Sequence, residues 1–194
     1  MFEQTIREYR AVIATCRELF ASKIRDYGTA WRILRLPSLT DQIYIKAKRI
    51  RSIQEKGTQK INESIISEFV AMVNYGLIAL MQSRYNDQVS LDLPLEKALA
   101  DYDQAVAETL DLLIAKNHDY GEAWRDMRVS SITDIILMKL LRIKQIENNQ
   151  GKTLVSEGVE ANYRDIVNYS VYALILMGFP ENNPDKKLCN TSIG

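Results

Sequence analysis

Three acidic side chains in the second half of the chain have the type and spacing of a metal-binding group. Glu157 and Asp165 are eight positions apart, which is about two turns of helix, so in a helix they share one face and Glu160 flanks it. Mg²⁺ prefers carboxylate oxygens and is commonly held by one or two carboxylates together with substrate phosphates. Glu157, Glu160 and Asp165 are therefore the candidate catalytic residues and metal ligands, with Mg²⁺ as the cofactor. The alternative is a charged helix face in solvent.

Two basic pairs are candidates for binding phosphate. Lys139 and Arg142 are three positions apart, as are Lys46 and Arg49, so each pair lies on one side of its predicted helix. Both pairs border apolar positions, and a partly buried cation needs an anionic partner. That partner is either a ligand phosphate or an acid of the following helix, and the pattern leaves both open.

An aromatic motif, Asp-Tyr-Gly-x-Ala-Trp-Arg, occurs at residues 26–32 and again at 119–125. Glycine lets the backbone turn sharply, tryptophan offers a flat apolar face, and arginine presents a fork of donors suited to phosphate. The candidate binding residues in this motif are Tyr27, Trp31, Arg32, Tyr120, Trp124 and Arg125. In the alternative interpretation each tryptophan anchors a loop, and each arginine pairs with an acid such as Asp41 or Asp134.

The motif belongs to a longer internal repeat. Residues 23–50 and 116–143 are identical at roughly half of their positions, and Asn-Tyr follows later in each copy, at Asn74 and Asn168. The acids are not repeated in the same way. The first copy has Glu63 and Glu68, but Ala71 stands where the second copy has Asp165.

The elements expected to position these residues are helices. Gly28 and Pro37 bound a shaped connection at 26–37 that holds Trp31, and Thr133 is expected to open a helix in the second copy. Apolar residues recur at helical spacing over 3–23, 38–56, 62–83 and, in the second copy, 157–177. We predict an all-α fold, a helical bundle of two tandem three-helix repeats packed with pseudo-two-fold symmetry.

The domain organisation follows the repeat. We predict a first helical repeat at 1–84, a linker at 85–94, a second repeat at 95–179 and a polar flexible tail at 180–194. Because one three-helix unit buries limited apolar surface alone, the two repeats are expected to form one compact domain.

Composition narrows the class of protein. The chain has 194 residues, of which 46% are hydrophobic, and its 25 basic and 25 acidic residues cancel, so charge gives no direct nucleic-acid signal. No apolar run approaches the length of a membrane span, and no leader pattern is present, which predicts no membrane partner. Two cysteines give no disulfide framework, which favours a cytoplasmic location. Pairing of two chains into a homodimer stays open.

The motifs resemble a known family. Asp-Tyr-Gly-x-Ala-Trp-Arg, followed by Asp, Lys-x-x-Arg-Ile and an acid-bearing helix that ends in Asn-Tyr, resembles nucleotide modification associated domain 1, over about residues 20–82 and 113–176. That family is distantly similar to the all-α nucleoside triphosphate pyrophosphohydrolases of the MazG and dimeric dUTPase kind. Those enzymes hydrolyse nucleotides between the α and β phosphates with Mg²⁺.

The resemblance implies a nucleotide, or another phosphorylated small molecule, as the partner. It assigns the metal to Glu157, Glu160 and Asp165, and it places Lys139, Arg142, Tyr120 and Trp124 near the nucleotide. Those enzymes carry a Glu-x-x-Glu pair on their second helix, where this chain has the basic pairs. Two functions follow: a Mg²⁺-dependent pyrophosphohydrolase, if the acids converge in a cleft with the second basic pair, or a non-catalytic nucleotide-sensing or structural module.

Overall fold

The computed structural model describes residues 2–58, 60, 64–86, 89–155 and 157–182. Within these ranges the chain forms six α-helices and two short 3₁₀ turns, and no strand. The helices are α1 (Glu3–Tyr27), α2 (Leu36–Lys56), α3 (Ile65–Gln82), α4 (Leu95–Tyr120), α5 (Val129–Asn148) and α6 (Val159–Leu176), and the 3₁₀ turns are Ala30–Ile33 and Ala123–Asp126. Glu63 and most of the predicted tail, from 183 to 194, lie outside the described residues.

The loop motif stops the first helix of each copy. Gly28 and Gly121 have φ angles of 65° and 62°, a conformation that favours glycine, and each directly follows the last helical residue. The helix therefore runs to Tyr27, beyond the predicted end at 23. The predicted connection is also too long at its other end, because Pro37 lies in the first turn of α2, where the missing N–H has no helical partner in any case. Helix α5 also begins earlier than predicted, at Val129 rather than at Thr133.

The two copies form one bundle with pseudo-two-fold symmetry, as predicted. Helix α3 packs along its equivalent α6, and α2 packs along its equivalent α5. Helices α1 and α4 each contact the third helix of both copies. Close approach of α3 and α6 depends on Gly76, where an added Cβ would lie 2.6 Å from Cγ2 of Val167. Apolar side chains from both copies share a single core.

A polar cluster also joins the copies across α2 and α5. Thr40 donates to the Glu147 carboxylate over 2.7 Å, and the Thr40 and Tyr163 hydroxyls are 2.6 Å apart. Burial raises the pKa of Glu147. The equivalent contact on the other side of the pseudo-axis is neutral, because Gln54 donates to Thr133 over 3.1 Å.

Helix α3 has the length and hydropathy of a membrane span, with a mean hydropathy of 1.5 over 18 residues. The expectation that no apolar run approaches that length was therefore wrong for this helix. Its 18-residue window is 67% buried inside the bundle, against α2 and α6. The apolar composition of α3 is accounted for by its central position in the core.

Candidate functional site

A cavity of about 420 Å³ opens beside the second loop motif. It is formed by the end of α4, the following 3₁₀ turn, α5 and α6. Its lining combines aromatic rings, two side-chain amides and two lysines. The residues that give it this character are Lys116, Asn117, Trp124, Lys139, Asp165, Asn168 and Tyr172. We call it the second-copy cavity.

Two lysines converge on one buried aspartate in this cavity. Asp165 accepts a hydrogen bond from Lys116 at Oδ1 and from Lys139 at Oδ2, the second over 2.6 Å. Each ammonium group has three N–H donors, and the aspartate takes only one from each. Two lysine charges and one carboxylate charge leave this trio with a net charge of +1. The remaining donors can therefore bind an anionic group.

The two amides of the cavity each have one atom without a partner. Asn117 Oδ1 accepts from the Tyr172 hydroxyl over 3.3 Å, and Asn168 Nδ2 donates to the Thr109 carbonyl over 3.1 Å. These bonds orient both amides. Asn117 Nδ2 is left as a buried donor and Asn168 Oδ1 as a buried acceptor, neither with a partner in the described ranges. Because unpaired buried polar groups are unfavourable, a ligand that pairs with them gains affinity.

Aromatic side chains form the rest of the lining. Trp124 is buried and stacks on Tyr172, with ring centroids 4.2 Å apart and planes 5° apart. Burial raises the pKa of Tyr172, so its hydroxyl stays protonated and donates to Asn117. Tyr169 meets Tyr172 edge to face, whereas Tyr120 stands 77% exposed at the rim. Both predicted aromatic residues, Tyr120 and Trp124, therefore line one cavity, Trp124 as a wall and Tyr120 as an accessible ring.

The three predicted metal ligands do not converge. Glu157 precedes Gly158, the N-cap of α6, so it is outside the helix and helical spacing does not align it with Asp165. Glu160 accepts from Arg164 over 3.3 Å, and Asp165 is held by the two lysines. No group of three or more His, Cys, Asp or Glu side chains in the described part of the chain could hold a metal ion. The prediction that Glu157, Glu160 and Asp165 form one metal-binding cluster is therefore wrong.

Comparison with known families identifies the repeat. The family model described as nucleotide modification associated domain 1 matches residues 23–83 and 116–177, more than half of the chain. The chain belongs to this family. Each matched segment begins at a lysine in the last turns of a first helix, Lys23 or Lys116, and contains one loop motif. No curated protein and no solved structure matches the chain significantly.

In the first nucleotide modification associated domain, Arg32 binds the chain itself. It is buried, and its guanidinium donates to the Gln82 side chain over 2.5 Å and to the carbonyls of Val89 and Ser90 over 3.0 and 3.3 Å. The same group lies 4.4 Å from the centre of the Tyr85 ring. The donors of Arg32 therefore fix the linker to the first copy, and these contacts do not support its predicted ligand-binding role.

In the second domain, Arg125 has a similar structural role. It donates to Glu8 of α1 over 2.6 Å and to Glu122 over 3.1 Å. Burial raises the pKa of Glu8, but hydrogen bonds from Arg125 and Gln4, together with the Arg125 charge, outweigh burial, so the net effect is a lowered pKa. Arg125 therefore joins the second copy to α1 rather than serving a ligand. An acid does pair with it, as the alternative interpretation held, but Asp134 is not that acid.

The basic pair of the first copy is occupied by an acid of α3. Glu68 is buried and accepts from Lys46 over 3.2 Å and from Arg49 over 2.5 Å. The predicted alternative, an ion pair with an acid of the third helix, is therefore confirmed for both residues. It is also confirmed for Lys139, which pairs with Asp165 of α6.

The two residues of the second basic pair, Lys139 and Arg142, do not line the same cavities. Lys139 lines the second-copy cavity and also an open cleft of about 1120 Å³ along α5, whereas Arg142 lines only the cleft. Arg142 is exposed and makes no hydrogen bond or ion pair within the described ranges. Lys139 is thus the member of this pair that can act together with Lys116 and the amides.

A further cavity, of about 290 Å³, occupies the equivalent position in the first copy. It lies between the end of α1, the first 3₁₀ turn and α3, and Tyr27 and Trp31 line it. We call it the first-copy cavity, and its lining is defined by Leu19, Phe20, Ile24, Trp31, Leu34 and Ile78.

The sequence contained signals for the residues that the predictions left out of the site. Lys116 begins the repeated stretch, as Lys23 does in the first copy, and Asn168 belongs to the repeated Asn-Tyr pair. Asn117 carries no repeat signal, since its equivalent is Ile24. Only the packing of α4 against α6 shows that its amide faces the same cavity as Asn168.

Proposed function

We propose that the chain binds a nucleotide in the second-copy cavity and that Lys116 and Lys139 hold its phosphate groups. The observation that supports this most directly is that two lysines and two amides with unpartnered atoms line one cavity. Phosphate oxygens accept hydrogen bonds from ammonium groups in short, charge-assisted contacts. The net positive charge around Asp165 favours an anion over a neutral sugar.

The base is proposed to lie among the amides and aromatic rings. Asn117 Nδ2 and Asn168 Oδ1 are buried, so each amide is proposed to rotate toward the polar edge of the base and to supply a donor and an acceptor. Tyr120 and Tyr169 supply ring surface. The cavity volume of about 420 Å³ is within the usual range for small-molecule sites, roughly 300–1,000 Å³.

Binding is proposed to be independent of Mg²⁺, as in the non-catalytic nucleotide-sensing interpretation. The donor set does not fit a divalent cation, because the Asp165 carboxylate is already shared by two ammonium groups. A cation beside them would meet repulsion from both charges. The net charge of +1 on the trio offsets part of the phosphate charge without a metal.

A Mg²⁺-dependent nucleoside triphosphate pyrophosphohydrolase is the second candidate, and it includes the distant similarity to MazG-like and dimeric dUTPase-like enzymes. One observation favours it. Glu157 lines the cleft that contains Lys139 and Arg142 and also a cleft of about 450 Å³ that contains Lys116. In this candidate Lys139 and Arg142 would hold the phosphates in the cleft, and Glu157 would be the carboxylate that meets Mg²⁺ there.

Calorimetric titration tests the proposal. A nucleoside triphosphate and a nucleoside monophosphate are titrated in EDTA and in Mg²⁺, beside the nucleoside and ribose 5-phosphate. We expect nucleotides to bind equally in both buffers and more tightly than either fragment. Absence of binding by every nucleotide contradicts the proposal. Binding only in Mg²⁺, with release of pyrophosphate, supports the second candidate instead.

A matched variant tests the place of the base. Asn117→Ile introduces the residue that the first copy has at the equivalent position, Ile24. It is expected to weaken nucleotide binding about tenfold, because one buried hydrogen bond is lost. Its effect on ribose 5-phosphate is expected to be small. Equal weakening of both ligands would place the base elsewhere.

A further inference from the structure

The two cavities have the same position in their repeats but opposite chemistry. In the second copy, Asn117 and Asp165 contribute polar atoms, whereas the equivalent positions in the first copy are Ile24 and Ala71. The first-copy cavity is therefore walled mainly by aliphatic and aromatic side chains. Duplication has produced one polar and one apolar cavity on the same backbone.

The one amide of the first-copy cavity is already satisfied. Asn74 is the equivalent of Asn168, and its Nδ2 donates to the Cys16 carbonyl over 3.1 Å. Its Oδ1 accepts from the Tyr102 hydroxyl over 2.8 Å. Both polar atoms of Asn74 therefore have a partner, whereas Asn168 Oδ1 has none among the described residues.

A lysine and a buried indole N–H lie beside the apolar walls. Lys23 is exposed and makes no hydrogen bond or ion pair within the described residues. Its equivalent, Lys116, is paired with Asp165, but Ala71 offers Lys23 no such partner. Trp31 also lines the cavity, and its indole N–H is buried without an acceptor in the part of the chain that the structure describes.

We propose that the first-copy cavity is a second binding site, for a small apolar acid. An aromatic ring or short hydrocarbon chain is buried among Phe20, Ile24 and Ile78, and the acidic group is held by Lys23. The volume of about 290 Å³ suits a ligand at the lower end of the usual size range. Lys23 is the charged residue of the lining, and its charge favours an acid over a neutral or cationic apolar molecule. This site does not depend on nucleotide binding in the second copy.

The test is calorimetric titration of the full chain with 4-phenylbutyrate and with 4-phenylbutan-1-ol, which differ in charge but share the ring and chain. We expect saturable binding of the acid and weaker binding of the alcohol. Lys23→Gln is expected to weaken the acid about three- to fivefold and to leave the alcohol unchanged, as for a partly exposed charge pair. Lys116→Gln is the matched control and is expected to change neither.

Two substitutions of Ala71 test the place of binding. Ala71→Asp introduces the second-copy residue, which can pair with Lys23 and make the cavity polar, and Ala71→Leu fills the cavity. Both are expected to abolish binding of both probes while circular dichroism and thermal unfolding show a folded chain. No saturable binding to the wild-type chain, or binding that survives both substitutions, overturns the proposal. So does a concentration-dependent dimer, seen by light scattering, that Ala71→Leu abolishes, because the cavity would then receive a second copy.

Discussion

Lys139 and Asp165 form an ion pair across α5 and α6, with 2.6 Å between Nζ and Oδ2 and with both side chains largely removed from solvent. This ion pair stabilises the buried Asp165 carboxylate without a metal. The first copy has Ala71 at the equivalent position. The ion pair also orients Lys139 toward the cavity that Lys116 and the two amides share. The chemistry of the second copy is organised around this contact.

The first prediction concerns Asp165→Asn. The substitution removes one negative charge and raises the net charge of the trio from +1 to +2, because both lysines remain. We expect a nucleoside triphosphate to bind about two- to tenfold more tightly at low salt. The free energy of unfolding is expected to fall by about 1–3 kcal/mol, since a charge-assisted pair is lost. Calorimetry and urea unfolding measure the two effects.

Asp103→Asn is the control for that variant, since Asp103 is an exposed acid that pairs with Arg17 of α1 and does not line the second-copy cavity. It should change neither quantity appreciably. If Asp165→Asn instead abolishes nucleotide binding, Asp165 is a metal ligand or a direct contact, and the pyrophosphohydrolase candidate gains.

The second prediction compares two equivalent tyrosines. Tyr102 donates to Asn74 over 2.8 Å, whereas the buried hydroxyl of Tyr9 and the Oδ1 of Asn168 have no partner among the described residues. Tyr102→Phe is expected to lower the free energy of unfolding by about 1–3 kcal/mol, because it leaves a buried acceptor unpaired. Tyr9→Phe is expected to be neutral or stabilising. Equal losses in urea unfolding would contradict the asymmetry.

The third prediction concerns the pH dependence of stability. Burial raises the pKa of Glu147 above its usual value of 4.5, so the folded chain binds this proton more tightly than the unfolded chain does. Its stabilising contribution is present below pH 4.5 and is lost as the pH rises through the raised value. Glu147→Gln introduces the residue that the first copy has at the equivalent position, Gln54, and is expected to remove this loss.

Urea unfolding between pH 4 and 8 tests this expectation. The variant should match or exceed the wild type at pH 7, by at most about 1 kcal/mol, and the two curves should converge toward pH 4. If the variant is less stable than the wild type by the same amount at pH 7 and at pH 4, burial does not destabilise the ionised Glu147 carboxylate and the expectation is wrong.

The fourth prediction concerns the contact between α3 and α6. Gly76→Ala places a methyl group 2.6 Å from Cγ2 of Val167, so we expect a loss of about 1–3 kcal/mol in the free energy of unfolding. The loss should appear despite the better helix propensity of alanine. The double variant with Val167→Ala should lose less than the sum of the two single variants. Strict additivity would mean that the two side chains do not interact.

Periodicity predicted the helical fold and its duplication, because apolar spacing reflects which helix face is buried. It failed where a single residue changes the local backbone. Pro37 fits the first turn of a helix as well as a loop, and Gly158 places the start of α6 after Glu157, which removes that acid from the predicted face. Helical spacing predicts that two acids share a face only if both residues belong to the helix.

The candidate site was harder to predict because partners come from distant parts of the chain. The sequence marks Lys139 as a partly buried cation but does not show that Lys116, on another helix, reaches the same aspartate. Arg32 and Arg125 have residue types suited to phosphate, yet the linker and α1 take their donors. Residue type gives the chemistry, and packing decides whether a ligand or the chain uses it.

The most direct test of nucleotide binding in the second-copy cavity is a matched pair of lysine substitutions at equivalent positions. Calorimetry with a nucleoside triphosphate in EDTA is carried out on Lys116→Gln and Lys23→Gln. We predict that Lys116→Gln weakens binding about tenfold or more, because a charge-assisted contact to phosphate is lost, and that Lys23→Gln leaves the affinity unchanged. Equal affinities for the two variants, or weakening by Lys23→Gln alone, would contradict the account.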